Sequence, residues 1–115
     1  MFSKKHRLAK TRDVKMAFAQ GRSFLNPFYT IKFRAKPDGE PRFTIVVSAK
    51  VSKKAVVRNR IKRILREYIR LRINKFALGD YVVVVKPKLA QEREDIILRG
   101  FKQLVFSARL KNNED

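Results

Sequence analysis

The chain has no cysteine and no tryptophan, a single histidine, and only ten acidic residues. Each shortage removes a class of function. Without thiols there is no disulfide framework and no thiolate metal site. With His6 as the lone imidazole, a histidine pair for metal-dependent or acid–base hydrolysis is out of reach. The acids are scattered singly except Glu92, Glu94 and Asp95, which read as the first turn of a helix, where negative charge suits the dipole. Four glycines form no phosphate-cradling loop. No apolar run reaches the roughly 18 residues that would suggest a membrane span. The start, "MFSKKHRLAK", is basic with no apolar segment behind it, so it does not read as a signal peptide. These absences favour a cytoplasmic binding protein over a polypeptide catalyst, with no metal ligands and no catalytic residues to name.

What is present is cationic charge. Lys and Arg number 29 against the ten acids, for a formal net charge of +19 and a pI near 11.1. Such a field draws in polyanions and speeds their association. Nucleic acid is the expected partner; a membrane surface is disfavoured because the basic residues are spread through segments that read as folded. Hydrophobic residues make up 44% of the 115, enough for a real core. One domain over 1–115 is expected, with 1–9 as a basic, mobile arm.

The periodicities order the chain. "TRDVKMAFAQG" predicts a short helix with Thr11 as N-cap, Gly21 as stop, and Val14, Ala17 and Phe18 on one face. "FYTIKFR" alternates Tyr29, Ile31 and Phe33 against Thr30, Lys32 and Arg34, a half-buried strand. "KPDGEP" is a turn cluster, and "RFTIVVS" places Phe43, Ile45 and Val47 inward, so the two runs predict an antiparallel hairpin. A long helix is expected from about Ala55 to Asn74. "GDYVVVVKP" reads as a strand buried on both faces. A last helix is expected from about Glu92 to Lys111, with Ile97, Phe101, Leu104 and Ala108 inward, Arg109 and Lys111 in its final turn, and Gly100 costing it about 1 kcal/mol relative to Ala. The order α-β-β-α-β-α is an α+β fold, helices packed on a small β-sheet.

The central helix concentrates the signal. At 100° per residue, Val57, Ile61, Ile64, Leu65, Tyr68 and Leu71 share an arc of about 120° that should face the sheet. Arg58, Asn59, Lys62, Arg63, Arg66 and Arg70 fall on the opposite arc, with Arg60 and Glu67 at one boundary. Like charges four apart cost about 0.2–0.5 kcal/mol per pair, so an external anion should compensate. A solvated face usually mixes signs; this one is nearly all cationic and rich in Arg, whose planar fork matches phosphate oxygens. Ile69 and Ile73 point toward the cationic arc, where they meet either RNA or another segment. Strands flank the helix, which argues against a helix-turn-helix. Neither a GXXG loop nor an aromatic-rich RRM strand motif occurs. Shape and phosphate recognition of folded RNA fits best.

At "KVSKKAVVRNRIKRILREYIR" the chain resembles the bacterial ribonuclease P protein component. Ala55, Arg58, Asn59, Lys62, Arg63, Arg66 and Glu67 match that family's signature in type and spacing. "VSAKVSKK" resembles its basic strand end and loop. "RLAKTRDVKMAFAQGRSF" resembles its first helix, through Asp13, Phe18, Gly21 and Ser23, and "GDYVVVVKP" its last strand. The resemblance spans about residues 5 to 108. It implies the small subunit of a ribonucleoprotein that removes the 5′ leader from precursor tRNA. The RNA subunit would perform the hydrolysis with magnesium, and the protein would bind no cofactor of its own. It further implies a 1:1 complex of one protein with the catalytic RNA, and a left-handed β-α-β crossover, against the usual right-handed rule. The alternative is a ribosomal-type protein or RNA chaperone, which shares the charge but not the ordered signature.

The same resemblance assigns residues. Arg58, Asn59, Arg60, Lys62, Arg63 and Arg66 carry over as contacts to the catalytic RNA, with Arg70, Lys53 and Lys54 beside them. Phe18, Lys50 and the position of Val14 carry over to a cleft for the single-stranded leader, along with Lys32, Phe33 and Lys86. Val14 stands where the family often has an aromatic, and the family often shows another near Lys32 or Phe33. Lys86-Pro87-Lys88-Leu89 stands where it has Arg-Lys-Pro-Ala. By itself Phe18 reads equally as core packing, Lys50 as a solvated strand end, and Lys53 and Lys54 as a flexible loop.

Overall fold

A computed structural model describes residues 2–111. Helix α1 (Thr11–Gln20) is followed by strands β1 (Arg22–Leu25), β2 (Tyr29–Ala35) and β3 (Arg42–Val46), then α2 (Ala55–Leu71), β4 (Gly79–Val85) and α3 (Glu94–Ser107). The architecture is α+β, as expected, with one strand more than the sequence reading. Strand β1 has only four residues, too few for an alternation to stand out. Asn26 turns the chain into β2: its Oδ1 accepts from the Phe28 and Tyr29 amides at 3.0 and 2.8 Å. Gly21 ends α1 as read, donating its N–H to the Ala17 carbonyl at 2.9 Å. Thr11 is not the N-cap: Lys10 holds that position without a side-chain capping bond, and Thr11 lies inside the helix.

The expected hairpin does not form. The sheet order is β1-β2-β4-β3: β4 inserts between β2 and β3, antiparallel to β2 and parallel to β3. The alternation of both runs was read correctly, but period-2 patterning fixes which face a residue takes and says nothing of which strand lies alongside. A strand of Val82, Val83, Val84 and Val85 needs cover on both faces and gains most at the centre. The parallel pair β3 and β4, joined through α2, makes a β-α-β unit.

Helices cover both faces of the sheet. On one face Tyr29, Ile31, Phe43, Ile45, Tyr81, Val83 and Val85 meet Ile61, Leu65, Tyr68 and Ile69 of α2 and Ile97, Phe101, Leu104 and Val105 of α3. Aromatic rings dominate here: Phe43 stacks on Tyr81 at 4.2 Å between centroids, and Tyr29 meets Phe101 edge-on at 5.6 Å. Buried Tyr29 gives its hydroxyl proton to the Ile97 carbonyl at 2.7 Å, and burial pushes this phenol and that of Tyr81 above their ordinary range. On the other face α1 sits on a much smaller cluster: Leu8, Ala17 and Val82, flanked by Val14 and Val84.

The segment 2–9, read from sequence as a mobile arm, packs against the β3 edge. Phe2 is buried against Phe43, Leu8 is buried and donates its N–H to the Phe43 carbonyl at 2.9 Å, and Arg7 bridges to Phe43. Met1 lies outside the described residues. Helix α2 ends earlier than read, at Leu71, and runs into a short 3-10 turn, Ile73–Lys75. Helix α3 spans less than the expected 92–111 and ends where Arg109 adopts φ 59°, its left-handed turn letting Leu110 N–H reach the Val105 carbonyl at 2.8 Å. Gly100 has a packing reason: it is buried against Phe28, and a Cβ there would lie 3.0 Å from that ring.

Gly79 opens β4 at φ +153°, where a Cβ would meet the Arg34 carbonyl oxygen at 2.4 Å and the Phe33 ring at 2.7 Å. Gly79→Ala is expected to destabilise the protein by at least the ~1–3 kcal/mol of a strained backbone. A fall in the urea midpoint at unchanged slope would register it; an unchanged midpoint would contradict this account of the β2–β4 junction.

Candidate nucleic-acid interface

Helix α2 presents the first surface. Its buried side is rotated by about half a residue step (~50°) from the sequence reading. Ile69 is fully buried, whereas Leu71, assigned to the inner stripe, is 63% exposed. Ile73 is partly buried against the main core. The docked N-terminal segment lies on the Ile69 side of the helix: Phe2 belongs to the same core cluster as Ile69 and lines a hollow with Arg66. A helical wheel has no means of seeing that segment.

The rotation sorts the cations. Asn59, Arg63 and Arg70 are exposed, whereas Arg58, Arg60, Lys62 and Arg66 are partly covered. Arg58 donates from Nη1 to the Ser52 carbonyl at 2.9 Å and so braces the loop before the helix. Arg60 turns toward α3, its Nη1 donating to the Glu92 carbonyl at 3.2 Å. Arg66 lines a hollow with Phe2, Leu8 and Val14. Arg70 grips Glu67, the only acid on the helix, through Nη2–Oε1 at 2.5 Å and Nε–Oε2 at 3.2 Å, and that hydrogen bond holds Glu67 below the usual carboxylate range. Lys53 and Lys54 are exposed just before the first turn. Lys54 is the N-cap and no acid lies in that turn, so cations extend to the positive end of the helix dipole.

The second surface lies across the sheet from α2. Helix α1 runs from the start of β3 and β4, where Asp13 meets Arg42 at 3.5 Å, toward β2, where Gly21 lies on the Phe33 backbone. It leaves the far end of that face uncovered. The cross-strand row Leu25–Thr30–Val84–Val46 forms the floor there. Leu25 is 66% and Val46 40% exposed, two apolar residues facing solvent along this row. Val14 is half-buried beside this floor, and Phe18 is 50% exposed with the Lys32 ammonium 5.1 Å from its ring centroid.

Lys50 is exposed beyond the end of β3. Lys86, just past β4, donates from Nζ to the Asn26 carbonyl at 2.7 Å, clamping the β1–β2 turn. Phe33 is not brought to this face. It lies among the main-core rings, 4.7 Å from Tyr81, because its neighbour Lys32 takes the α1 side. The sequence reading missed the floor residues Leu25, Thr30, Val46 and Val84. The available signal was an apolar outward position, Val46, in an otherwise alternating strand.

Charge on this side is organised by one buried acid. Asp80, fully buried, takes a two-pronged grip from Arg42 at 2.8 and 2.9 Å, and Lys36 lies 3.8 Å away. The hydrogen bonds Arg42 donates to Asp80, with the charges of both carboxylates, raise its guanidinium above its ordinary value, against the opposing effect of burial.

A small α+β protein with an exposed Arg-rich helix and, across the sheet, an open apolar floor beside Phe18 with lysines nearby has the surface features nucleic-acid-binding proteins use. The family model for ribonuclease P matches residues 2–109. The ribonuclease P protein component of Picosynechococcus is 35% identical over 108 residues, covering 93% of each chain. That of Vibrio cholerae is 41% identical over 91 residues, covering 79% of this chain and 76% of its own. The RNase P protein of Staphylococcus aureus superposes with a TM-score of 0.87 at 24% identity, covering 95% of this chain and all of its own. The chain belongs to the ribonuclease P protein family.

Replacing Lys62, Arg63 and Arg66 together with Ala leaves the buried side of α2 untouched. Each lost phosphate contact is expected to flatten the slope of log affinity against log salt for a structured RNA by about 0.7–0.9. An unchanged slope in a variant with parental melting would place the RNA elsewhere.

Proposed function

We propose that this protein is the RNA-binding subunit of ribonuclease P, holding the catalytic RNA on α2 and the 5′ leader of precursor tRNA on the open sheet face beside α1. The observation that carries the reading is the separation of two unlike surfaces. The α2 face is cationic and suits the closely spaced phosphates of folded RNA. The sheet face is apolar and aromatic, suited to unstacked bases, each worth about 1–3 kcal/mol when stacked on an aromatic ring. Phe18, poised beneath Lys32, is the stacking residue; Val14 and the floor provide apolar contact, and Lys50 and Lys32 hold the backbone. Lys86 acts through the turn it clamps, with Lys88 beyond it, and Phe33 has no direct part.

Hydrolysis belongs to the RNA partner and its magnesium ions. Several of the described acids are engaged in ways that suit structure: Asp13 and Asp80 share Arg42, Glu67 holds Arg70, Glu40 meets Lys5, and Glu94 and Asp95 open α3. Protein freed of RNA is therefore expected to cleave nothing; leader removal by nuclease-treated protein would refute the division of labour. With a catalytic RNA at low magnesium, adding the protein should raise the rate of precursor processing. No change would favour a general RNA chaperone or ribosomal-type protein.

Phe18→Ala is expected to lower the holoenzyme's affinity for precursor tRNA by about 1–3 kcal/mol, the stacking of one base, while affinity for mature tRNA stays the same. Because Phe18 is half exposed, the stability lost should fall below the roughly 3–5 kcal/mol of a buried Phe→Ala. Unaltered discrimination in the folded variant would remove Phe18 from the leader site.

A further inference from the structure

We propose that Asp13, Arg42 and Asp80 form a positioning relay that sets the angle of α1 over the sheet and thereby the width of the leader cleft. The proposal rests on the reading of that cleft given above. It concerns residues that touch neither RNA surface.

The relay is visible in how α1 is held. Ala17 is its only fully buried residue, so apolar packing provides a shallow seat. Its two ends are attached differently. At the C-terminal end Gly21 lies directly on β2: a Cβ there would come within 3.0 Å of the Phe33 carbonyl carbon and oxygen. At the N-terminal end the attachment is electrostatic. Asp80 on β4 and Arg42 on β3 are register partners, locked by two hydrogen bonds. Asp80 thereby fixes the guanidinium plane, and the remaining nitrogen, Nη1, points to Asp13 in the first turn of α1 at 3.5 Å.

Val14 and Phe18 lie between these ends, one and five residues beyond Asp13. The chain entering α1 is anchored at Leu8, buried beside Ala17 and Val82 and bonded to the Phe43 carbonyl. Within the first turn of the helix the Asp13–Arg42 contact is the charged attachment, and losing it lets the helix tilt between Leu8 and the steric seat at Gly21. The tilt would carry Val14 and Phe18 away from the floor and separate Phe18 from Lys32. Asp13 and Arg42 remain about a quarter exposed, so the contact adds little to global stability. Its placement gives it leverage over geometry instead.

Asp13→Ala and Asp13→Asn test this, since both leave the buried Arg42–Asp80 pair intact. Asn keeps an acceptor oxygen for Arg42 and should rescue part of the effect. Four quantities are measured: holoenzyme affinity for precursor and for mature tRNA, protein affinity for the catalytic RNA, melting temperature, and the NMR shift of the Lys32 side-chain methylenes, which the Phe18 ring current displaces. Asp13→Ala is expected to reduce the preference for precursor over mature tRNA by about 2- to 30-fold. Catalytic-RNA affinity and melting should stay near parental, and the Lys32 shift should move toward its ring-free value. If Asp13→Ala keeps parental discrimination and the parental Lys32 shift while Phe18→Ala loses discrimination, the relay is wrong and the cleft stands. If Phe18→Ala also keeps discrimination, both fail. If Asp13→Ala lowers melting and every affinity in proportion, the contact is merely structural and the proposal is overturned.

Discussion

Strand β4 must be covered on both faces, and the rest of the molecule is arranged to do that. Tyr81, Val83 and Val85 point to one side, Val82 and Val84 to the other. Such a strand gains most at the centre of a sheet with helices on each face. Placing it between β2 and β3 separates α1 from α2 by the thickness of the sheet. The Arg-rich face of α2 and the open floor beside α1 therefore lie on opposite faces of the sheet because five consecutive apolar side chains need cover on both.

The two faces are covered unequally. The α2–α3 side is a deep aromatic core; the α1 side has a few small apolar residues and a charged network. A short helix resting on a narrow apolar strip leaves part of its sheet face open. That incomplete coverage makes a cleft, and the exposed Leu25 and Val46 follow from it. A larger α1 interface would have raised stability and closed the floor.

Charge follows a similar division. Asp13, Asp80, Glu67, Glu40 and Asp95 each engage specific cations, and many of the remaining Lys and Arg are exposed. Solvent-exposed cations at this density repel one another, at a cost that falls as salt rises. A polyanion removes that repulsion while releasing its own counterions. The Arg-rich face thus carries an electrostatic strain that a bound polyanion would relieve.

From the sequence alone, local matters were readable: strand alternation, the stop at Gly21, the double-sided burial of β4, and the cationic character of α2. Each depends on periodicity or on intrinsic backbone preference, which neighbours along the chain determine. The family resemblance around Arg58–Glu67 was readable for the same reason, being a contiguous signature on one helix. Tertiary structure decided everything set by partners distant in the chain. It put β4 between β2 and β3, turned Ile69 inward and Leu71 outward, and sent Phe33 to the core while Lys32 faced Phe18. It also joined Asp13, Arg42 and Asp80, three residues whose contact no local pattern shows. A side chain's pattern tells which face it takes; what lies against that face is fixed only when segments far apart in sequence compete to bury the same surface.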